Sequence, residues 1–330
     1  MFRLIIVFGT SVFLSLNFGA LLYVNSTYLA HFFTSTQVSL LFVAGALGNI
    51  TLLLFGPRFI RWFSKSASLS LFIFILAVSN LGMAYTPTAL SAAISFVLYS
   101  SFIFLVYYCL DIFVEEFSRD EHTGAMRGIY GTFMNGGIAA GPLLGAFIIE
   151  NYGEASLYVV GALLLFVAQY LAHFSNRFDY QNFHYHTFHL PIKKWWRNVN
   201  VRRVTLAKLV LEIFFGLMVI YTPIYLHSQL GFAWSELGII FMVALLPFVL
   251  FEWPVGELAD HFWGEKEMMT AGFFVTGMSL LFMPFIGKFF WPWLIILFLS
   301  RVGASVVEIT TDTYFFKQVS ADDIGFLSVF

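Results

Sequence analysis

The sequence is poor in charged residues and almost lacks cysteine. Only 11% of its 330 residues are Asp, Glu, Lys or Arg, whereas a soluble domain has about a quarter. The single cysteine, Cys109, excludes a disulfide framework. The formal net charge of −2 gives no basic excess that would attract nucleic acid. The chain is therefore unlike a soluble domain, a disulfide-stabilised secreted domain or a nucleic-acid-binding protein.

Hydrophobic residues make up 59% of the sequence and gather into ten stretches. A helix needs about 20 mainly apolar residues to cross the hydrocarbon core of a bilayer. We therefore predict an all-α integral membrane protein with ten complete spans and the start of an eleventh. The ten stretches cover residues 4–24, 36–56, 67–86, 89–114, 128–149, 155–175, 204–226, 234–256, 268–287 and 291–315.

The basic residues alternate along the chain. Fifteen of the seventeen Lys and Arg residues lie at the N-terminus or in every second gap between the stretches, if Lys208 just inside a stretch is included. Short cytoplasmic loops retain Lys and Arg because they are not translocated. We therefore predict a multi-pass protein of the cell (plasma or inner) membrane with its N-terminus in the cytoplasm.

One gap is much longer and more polar than the others and divides the chain into two parts. Residues 1–175 are predicted to form an N-terminal six-helix bundle and residues 204–330 a C-terminal bundle of four helices. Residues 176–203 between them form the cytoplasmic central loop.

A weak duplication relates the two parts at an offset of about 200 residues, as in transporters built from repeats. Gly56 corresponds to Gly256, and Asp111 corresponds to Asp312. The duplication predicts that the C-terminal bundle is incomplete and that the chain is a fragment missing two helices. A genuine ten-helix protein is the alternative.

Residues 256–266 read Gly-Glu-Leu-Ala-Asp-His-Phe-Trp-Gly-Glu-Lys. This segment resembles the signature loop of the major facilitator superfamily, G-x-L-A-D-r-x-G-r-k. The resemblance implies two helical bundles that rock around a midplane cavity, and it implies a gating role for residues of the loop. The gating residues would be Gly256, Asp260, Gly264 and Lys266.

The first half has a degraded copy of this loop at residues 56–65, in which Ile60 replaces the acidic residue. Arg58 is assigned to gating from this copy. Asp111 is assigned to the inner gate because it corresponds to Asp312.

Residues 137–146 read Gly-Ile-Ala-Ala-Gly-Pro-Leu-Leu-Gly-Ala. The segment is similar to the G-x-x-x-G-P-x-x-G-G motif of the antiporter branches of that superfamily, which implies antiport or efflux. Gly137, Gly141 and Gly145 share one helix face and permit close packing, and Pro142 bends the helix. Simple helix packing with a kink is the alternative.

The last stretch contains several ionisable residues on one helix face. Arg301, Ser305, Glu308 and Asp312 are four, three and four residues apart. An ionised residue near the bilayer centre costs at least about 3 kcal/mol, so that Arg301 must face water, a partner or a substrate. We assign Arg301 to substrate or ion coupling, with Glu308 as its protonatable neighbour and Asp312 nearer the cytoplasm. An interior ion pair with a neighbouring helix is the alternative.

Three further residues are candidates for the same role. Glu212 lies four residues after Lys208, which is also the spacing of an ordinary helical ion pair. Asn17 and Asn135 are expected to line the cavity, although lone amides in membrane helices commonly form interhelical hydrogen bonds.

These features predict a secondary active transporter that moves a small solute by alternating access, with proton-coupled antiport or efflux as the mechanism. The expected partners are the solute, protons and the lipid bilayer, and the protein is expected to be monomeric. No cofactor, catalytic residue or metal is predicted, since the run His184-x-His186-x-x-His189 lacks carboxylate or thiolate companions. The alternatives are a polytopic membrane enzyme acting on lipid-linked substrates and a non-transporting membrane sensor.

Overall fold

The computed structural model of the protein describes residues 2–85, 88–117, 123–175, 197–251, 254–255 and 264–318. Within these residues the structure is helical and has no β-strand. Nine of the described helices are long and apolar enough to cross a membrane, and a shorter apolar helix of 17 residues covers Trp234–Leu250. The predicted fold class, an all-α integral membrane protein, is confirmed.

The chain divides into two compact units, Met1–Tyr185 and His186–Phe330, which we call unit 1 and unit 2. In its described residues, unit 1 has six long helices and one short one. They are α1 (Phe2–Leu22), the short α2 (Asn25–Ala30), α3 (Ser35–Phe63), α4 (Lys65–Ala84), α5 (Ala89–Phe117), α6 (Thr123–Tyr152) and α7 (Glu154–Ser175).

Unit 2 has four long helices in its described residues. They are α8 (Val199–Pro223), α9 (Trp234–Leu250), α10 (Glu265–Phe282) and α11 (Phe290–Gln318). α8 continues as one π-helical segment, Ile224–Gln229, and α10 is followed by a 3₁₀ turn, Met283–Phe285.

Local sequence signals explain where several helices begin. At the start of α3 the Thr34 hydroxyl accepts a hydrogen bond from the Gln37 N–H (3.4 Å), and the Gln37 side chain accepts one from the Thr34 N–H (2.9 Å). This reciprocal arrangement satisfies two backbone donors that the helix leaves without partners. Asn198 caps α8 in a similar way through its side-chain oxygen. Gly153, with a φ of +84°, is the single residue that separates α6 from α7.

The long helices contact one another in a corresponding pattern in the two units. In unit 1, α5 packs against α1, α3 and α4, and in unit 2, α11 packs against α8, α9 and α10. In unit 1, α1 also packs extensively against α6 and α7. The fourth long helix of each unit therefore contacts all three long helices that precede it.

Small residues allow α1 and α6 to approach closely. A Cβ atom added at Gly141 would collide with the backbone of Gly19 and Ala20, and one added at Gly145 would lie 2.7 Å from the Ala20 carbonyl oxygen. A Cβ atom at Gly137 would lie 2.8 Å from the Cβ of Ser15. The glycines of the α6 motif thus form one continuous contact with α1, and Pro142 lies within the same helix.

We expect Gly141→Ala to destabilise unit 1 by about 1–3 kcal/mol, because the added methyl group would force the α1 backbone away. Gly136→Ala is the matched control, since a Cβ atom there meets nothing within 4 Å. That substitution gains helix propensity, up to about 1 kcal/mol. The melting temperatures of the purified variants in detergent check the prediction, and equal melting temperatures would contradict it.

Ser64 is the single residue between α3 and α4, and its backbone has a φ of 71° and a ψ of 163°. This region is nearly reserved for glycine, and another residue there stores about 1–3 kcal/mol of strain. The Ser64 side chain compensates in part, because it accepts a hydrogen bond from the Ala67 N–H (3.4 Å).

We expect Ser64→Gly to raise the melting temperature, since relief of the strain exceeds the few tenths of a kcal/mol that are lost when glycine replaces a capping serine. Ser64→Ala should lower it, because alanine keeps the strain and loses the cap. Differential scanning fluorimetry of both variants tests this order, and a less stable Ser64→Gly protein would refute it.

Candidate functional site

The buried face of α8 contains one cationic residue among apolar neighbours. Val201, Val204, Lys208, Leu211 and Phe214 are buried and follow one another at intervals of three or four residues. This spacing places them on one side of the helix. Lys208 is only 8% exposed, although an ammonium group is costly to bury unless it is paired and hydrogen-bonded.

Three carboxylates surround the Lys208 ammonium. Its Nζ donates to Oδ1 of Asp312 at 3.0 Å, and it lies 3.8 Å from a Glu308 oxygen and 4.0 Å from a Glu212 oxygen. Glu308 and Asp312 are four residues apart on α11 and so share the face that meets α8. The carboxylates are more exposed than the ammonium, and the Glu212 side chain is 55% exposed. We call these four residues the charged layer.

Apolar layers lie on both sides of the charged layer. Val201, Val204 and Phe315 form one buried cluster, and the other contains Leu211, Phe214, Ala304 and Val307. Such surroundings shield the ammonium from bulk water and strengthen its electrostatic attraction to the carboxylates.

Arg301 lies beyond the second apolar layer. It is 3% exposed, and its Cζ atom is 5.0 Å from the centroid of the Phe214 ring and 5.5 Å from that of the Phe215 ring. These distances permit cation–π interactions with both rings. Arg301 precedes Glu308 by seven residues, which is about 10 Å along the helix axis. The structure therefore brings Glu308 and Asp312 to Lys208, while Arg301 occupies a separate aromatic environment.

Comparison with known proteins gives the family. A sequence profile described as Major Facilitator Superfamily matches residues 4–330. The chain belongs to the major facilitator superfamily. The resemblance found in the signature loop is thereby confirmed, and the protein is a multi-pass membrane transporter of a small molecule. No curated protein matches the sequence.

A solved structure shares the fold of this superfamily member. The crystal structure of the nucleoside transporter NupG superimposes with a TM-score of 0.77 at 12% sequence identity. The match covers 100% of this chain and 85% of the NupG chain. At this identity the similarity concerns the fold, and it agrees with the predicted helical transporter architecture.

The amide candidates of the transporter lie in unit 1. Asn17 is fully buried, and its Oδ1 accepts a hydrogen bond from the Tyr99 hydroxyl at 2.8 Å. A Cβ atom added at Gly161 would lie 2.6 Å from Nδ2 of Asn17 and 2.7 Å from Nδ2 of Asn80, so that the two amides converge on this glycine. Asn17 is thus part of a polar cluster in the core of unit 1. Asn135 is partly buried on α6.

The structure describes some of the predicted gating residues and not others. Gly264 directly precedes α10, and the Lys266 Nζ lies 5.2 Å from the centroid of the Tyr314 ring. The Arg58 Cζ lies 5.2 Å from the Phe55 ring, and Asp111 is exposed on α5. The following candidates lie outside the described residues: Gly256 and Asp260, residues 176–196 of the central loop with its three histidines, and residues 319–330, where an eleventh span is predicted to begin.

Sequence reasoning underestimated Lys208 and overlooked Asn80. Lys208 was interpreted only as the helical partner of Glu212, yet in the structure its closest carboxylate belongs to Asp312. The signal was present, because Lys208 continues the apolar spacing of Val201 and Val204 and should therefore face the core. For Asn80 the sequence offers no comparable spacing. It shows only an amide within an apolar stretch.

We expect Asp312→Asn to destabilise the transporter by about 1–3 kcal/mol, because it removes the nearest counter-charge of a buried ammonium. Glu212→Gln should change stability by less than about 1 kcal/mol, since this carboxylate is mostly exposed and farther away. Thermal melting of both variants at neutral pH provides the measurement. A Glu212→Gln protein that melts below Asp312→Asn would show that the ranking by distance is wrong.

Proposed function

We propose that this protein is a secondary active transporter that exchanges a small solute for protons by alternating access, with the charged layer as its coupling site. The observation that carries the proposal is an imbalance of charge. One ammonium faces three carboxylates within 4.0 Å, which gives these four groups a net charge of −2 when all are ionised. A partly dehydrated site with surplus negative charge favours the uptake of a cation, of which the proton is the smallest.

Within the charged layer the distances support a division of roles. Asp312 is hydrogen-bonded to Lys208 at 3.0 Å, and this charge-assisted contact holds its carboxylate beside the ammonium. Glu308 is farther from the ammonium, at 3.8 Å, and its side chain, like that of Asp312, is partly exposed. We therefore assign the transported proton to Glu308, and we assign Lys208 and Asp312 to a fixed pair beside it.

Arg301 supplies a second positive charge on the same helix. It precedes Glu308 by seven residues, which is a rise of about 10 Å along the helix axis. Exchange requires that solute and proton occupy the site in turn, and we infer that a cationic group of the solute at Glu308 displaces the proton, with Arg301 opposing the binding of both cations at once. The binding of the solute and the binding of the proton would then be coupled through residues of the same helix, α11.

Three other features support the remaining parts of the proposal. The Gly137–Gly145 motif, which is similar to that of antiporter branches, supports exchange or efflux rather than uptake. The signature loop with Gly256, Asp260, Gly264 and Lys266 supports gating on the side where the basic residues gather. The alternation of basic residues supports a cell-membrane location with a cytoplasmic N-terminus, and we propose a monomer as the transporting form.

The test is a flux assay in proteoliposomes with an imposed pH gradient and a pH-sensitive dye in the lumen. The probes are uridine, glucose, an amino acid and an organic cation dye. Uridine is included because of the fold similarity to NupG, which by itself does not define the substrate. We expect the wild-type protein to accumulate one probe class while protons move in the opposite direction.

With that probe, Glu308→Gln should abolish accumulation driven by the pH gradient and retain exchange of labelled for unlabelled probe. Glu236→Gln is the matched control, because this exposed carboxylate caps α9 and glutamine serves equally well in that position. Proton-driven accumulation by Glu308→Gln at the wild-type level would reject Glu308 as the proton carrier.

A further inference from the structure

A cavity of about 190 Å³ with both polar and apolar lining lies in unit 2 where α8 and α10 begin and α11 ends. Its walls include two cationic side chains, an amide, a hydroxyl and an aromatic ring. They belong to Arg203, Lys266, Asn200, Thr270 and Tyr314. Among the described residues, those that line the cavity include no carboxylate. The cavity therefore has the character of an anion site.

Contacts between the three helices hold this cavity in shape. The Asn200 amide donates a hydrogen bond to the Gln318 side chain at 3.2 Å, which joins the start of α8 to the end of α11. The Lys266 ammonium lies 5.2 Å from the centroid of the Tyr314 ring, which joins α10 to α11. Lys266 is thus held beside the cavity by an aromatic ring, and its three N–H donors remain suited to an anion.

The nearby acidic residue does not cancel these charges. Glu265 precedes Lys266 on α10, but its carboxylate forms an ion pair with Lys317 and does not line the cavity. Within the described part of the chain, no carboxylate forms an ion pair with Arg203. Arginine presents a planar fork of donors that matches the oxygens of a phosphate group.

The position of the cavity relative to the membrane indicates which class of anion it suits. The basic residues that alternate along the sequence predict that this end of unit 2 faces the cytoplasm. The lining also includes two apolar side chains, Val204 and Met269. Cationic and apolar groups together, at the ends of membrane helices, match a molecule with a phosphate group and hydrocarbon chains.

We propose that this cavity binds the phosphate headgroup of an anionic phospholipid from the cytoplasmic leaflet. The headgroup contacts Arg203 and Lys266, and the start of an acyl chain lies against Val204 and Met269. Bound there, the lipid connects α8, α10 and α11. Tyr314 follows Asp312 by two residues and Val204 precedes Lys208 by four, so that the lipid stabilises the helix ends next to the charged layer.

The test uses the purified full chain in detergent, titrated with dioctanoyl phosphatidylglycerol, dioctanoyl phosphatidylcholine or inorganic phosphate. We expect phosphatidylglycerol to raise the melting temperature in a saturable manner, as a ligand specific to the folded state does. Phosphatidylcholine and inorganic phosphate should raise it much less. The Arg203→Gln variant should bind phosphatidylglycerol about fivefold more weakly, as expected for the loss of one cationic contact.

Arg202→Gln is the matched control, because it removes the same charge from the adjacent position of α8, and Arg202 does not line the cavity. It should retain the wild-type affinity. If Arg203→Gln does not fold, Lys266→Gln takes its place, with its melting temperature without lipid as the reference. Equal weakening in the Arg202 and Arg203 variants would show a diffuse surface attraction and overturn the proposal. Equal stabilisation by phosphatidylcholine, or by inorganic phosphate alone, would overturn it as well.

Discussion

Lys208 places a positive charge at the contact between α8 and α11. The packing of these two helices depends on a counter-charge for this buried ammonium. The ammonium is almost fully buried and is paired with Asp312 at 3.0 Å. Without this partner the ammonium would be a buried charge in apolar surroundings, which a protein tolerates only at a large cost in stability. The pairing requires a rotation of α11 about its axis in which Glu308 and Asp312 face α8.

The two units use different polar chemistry in their interiors. In unit 1 the buried polar groups include the amide of Asn17, the hydroxyl of Tyr99 and one cation, Lys65, whose Nζ lies 5.9 Å from the centroid of the Phe113 ring, and small residues bring α1 and α6 into backbone contact. In unit 2 the described helices α8 and α11 meet through ionised groups enclosed by apolar layers. Neutral hydrogen bonds maintain a fixed packing, whereas ionised groups respond to a change in proton or ion occupancy. The cluster of one ammonium and three carboxylates is why we place coupling in unit 2.

Much of the architecture was predictable from the amino-acid sequence. The ten hydrophobic stretches correspond to α1, α3 to α7 and α8 to α11, because the thickness of the bilayer demands about 20 apolar residues in each span. The signature loop was enough to indicate the superfamily, although two of its gating residues lie outside the described part of the chain. The candidate site was less predictable. Glu308 and Asp312 were identified by their spacing on one helix, but their cationic partner belongs to another helix, and spacing along one helix carries no information about such a partner.

The sequence by itself determined the helical membrane fold, its family and the residues that carry charge within the spans, since these depend on local composition and on hydropathy along the chain. Only the tertiary structure decided which charges meet. It paired Lys208 with Asp312 rather than with Glu212 alone, placed Arg301 against Phe214 and Phe215, and directed Asn17 towards Tyr99 and Asn80. The physical reason is that the rotation and depth of a packed helix depend on all of its neighbours at once, and these contacts join residues far apart in the chain.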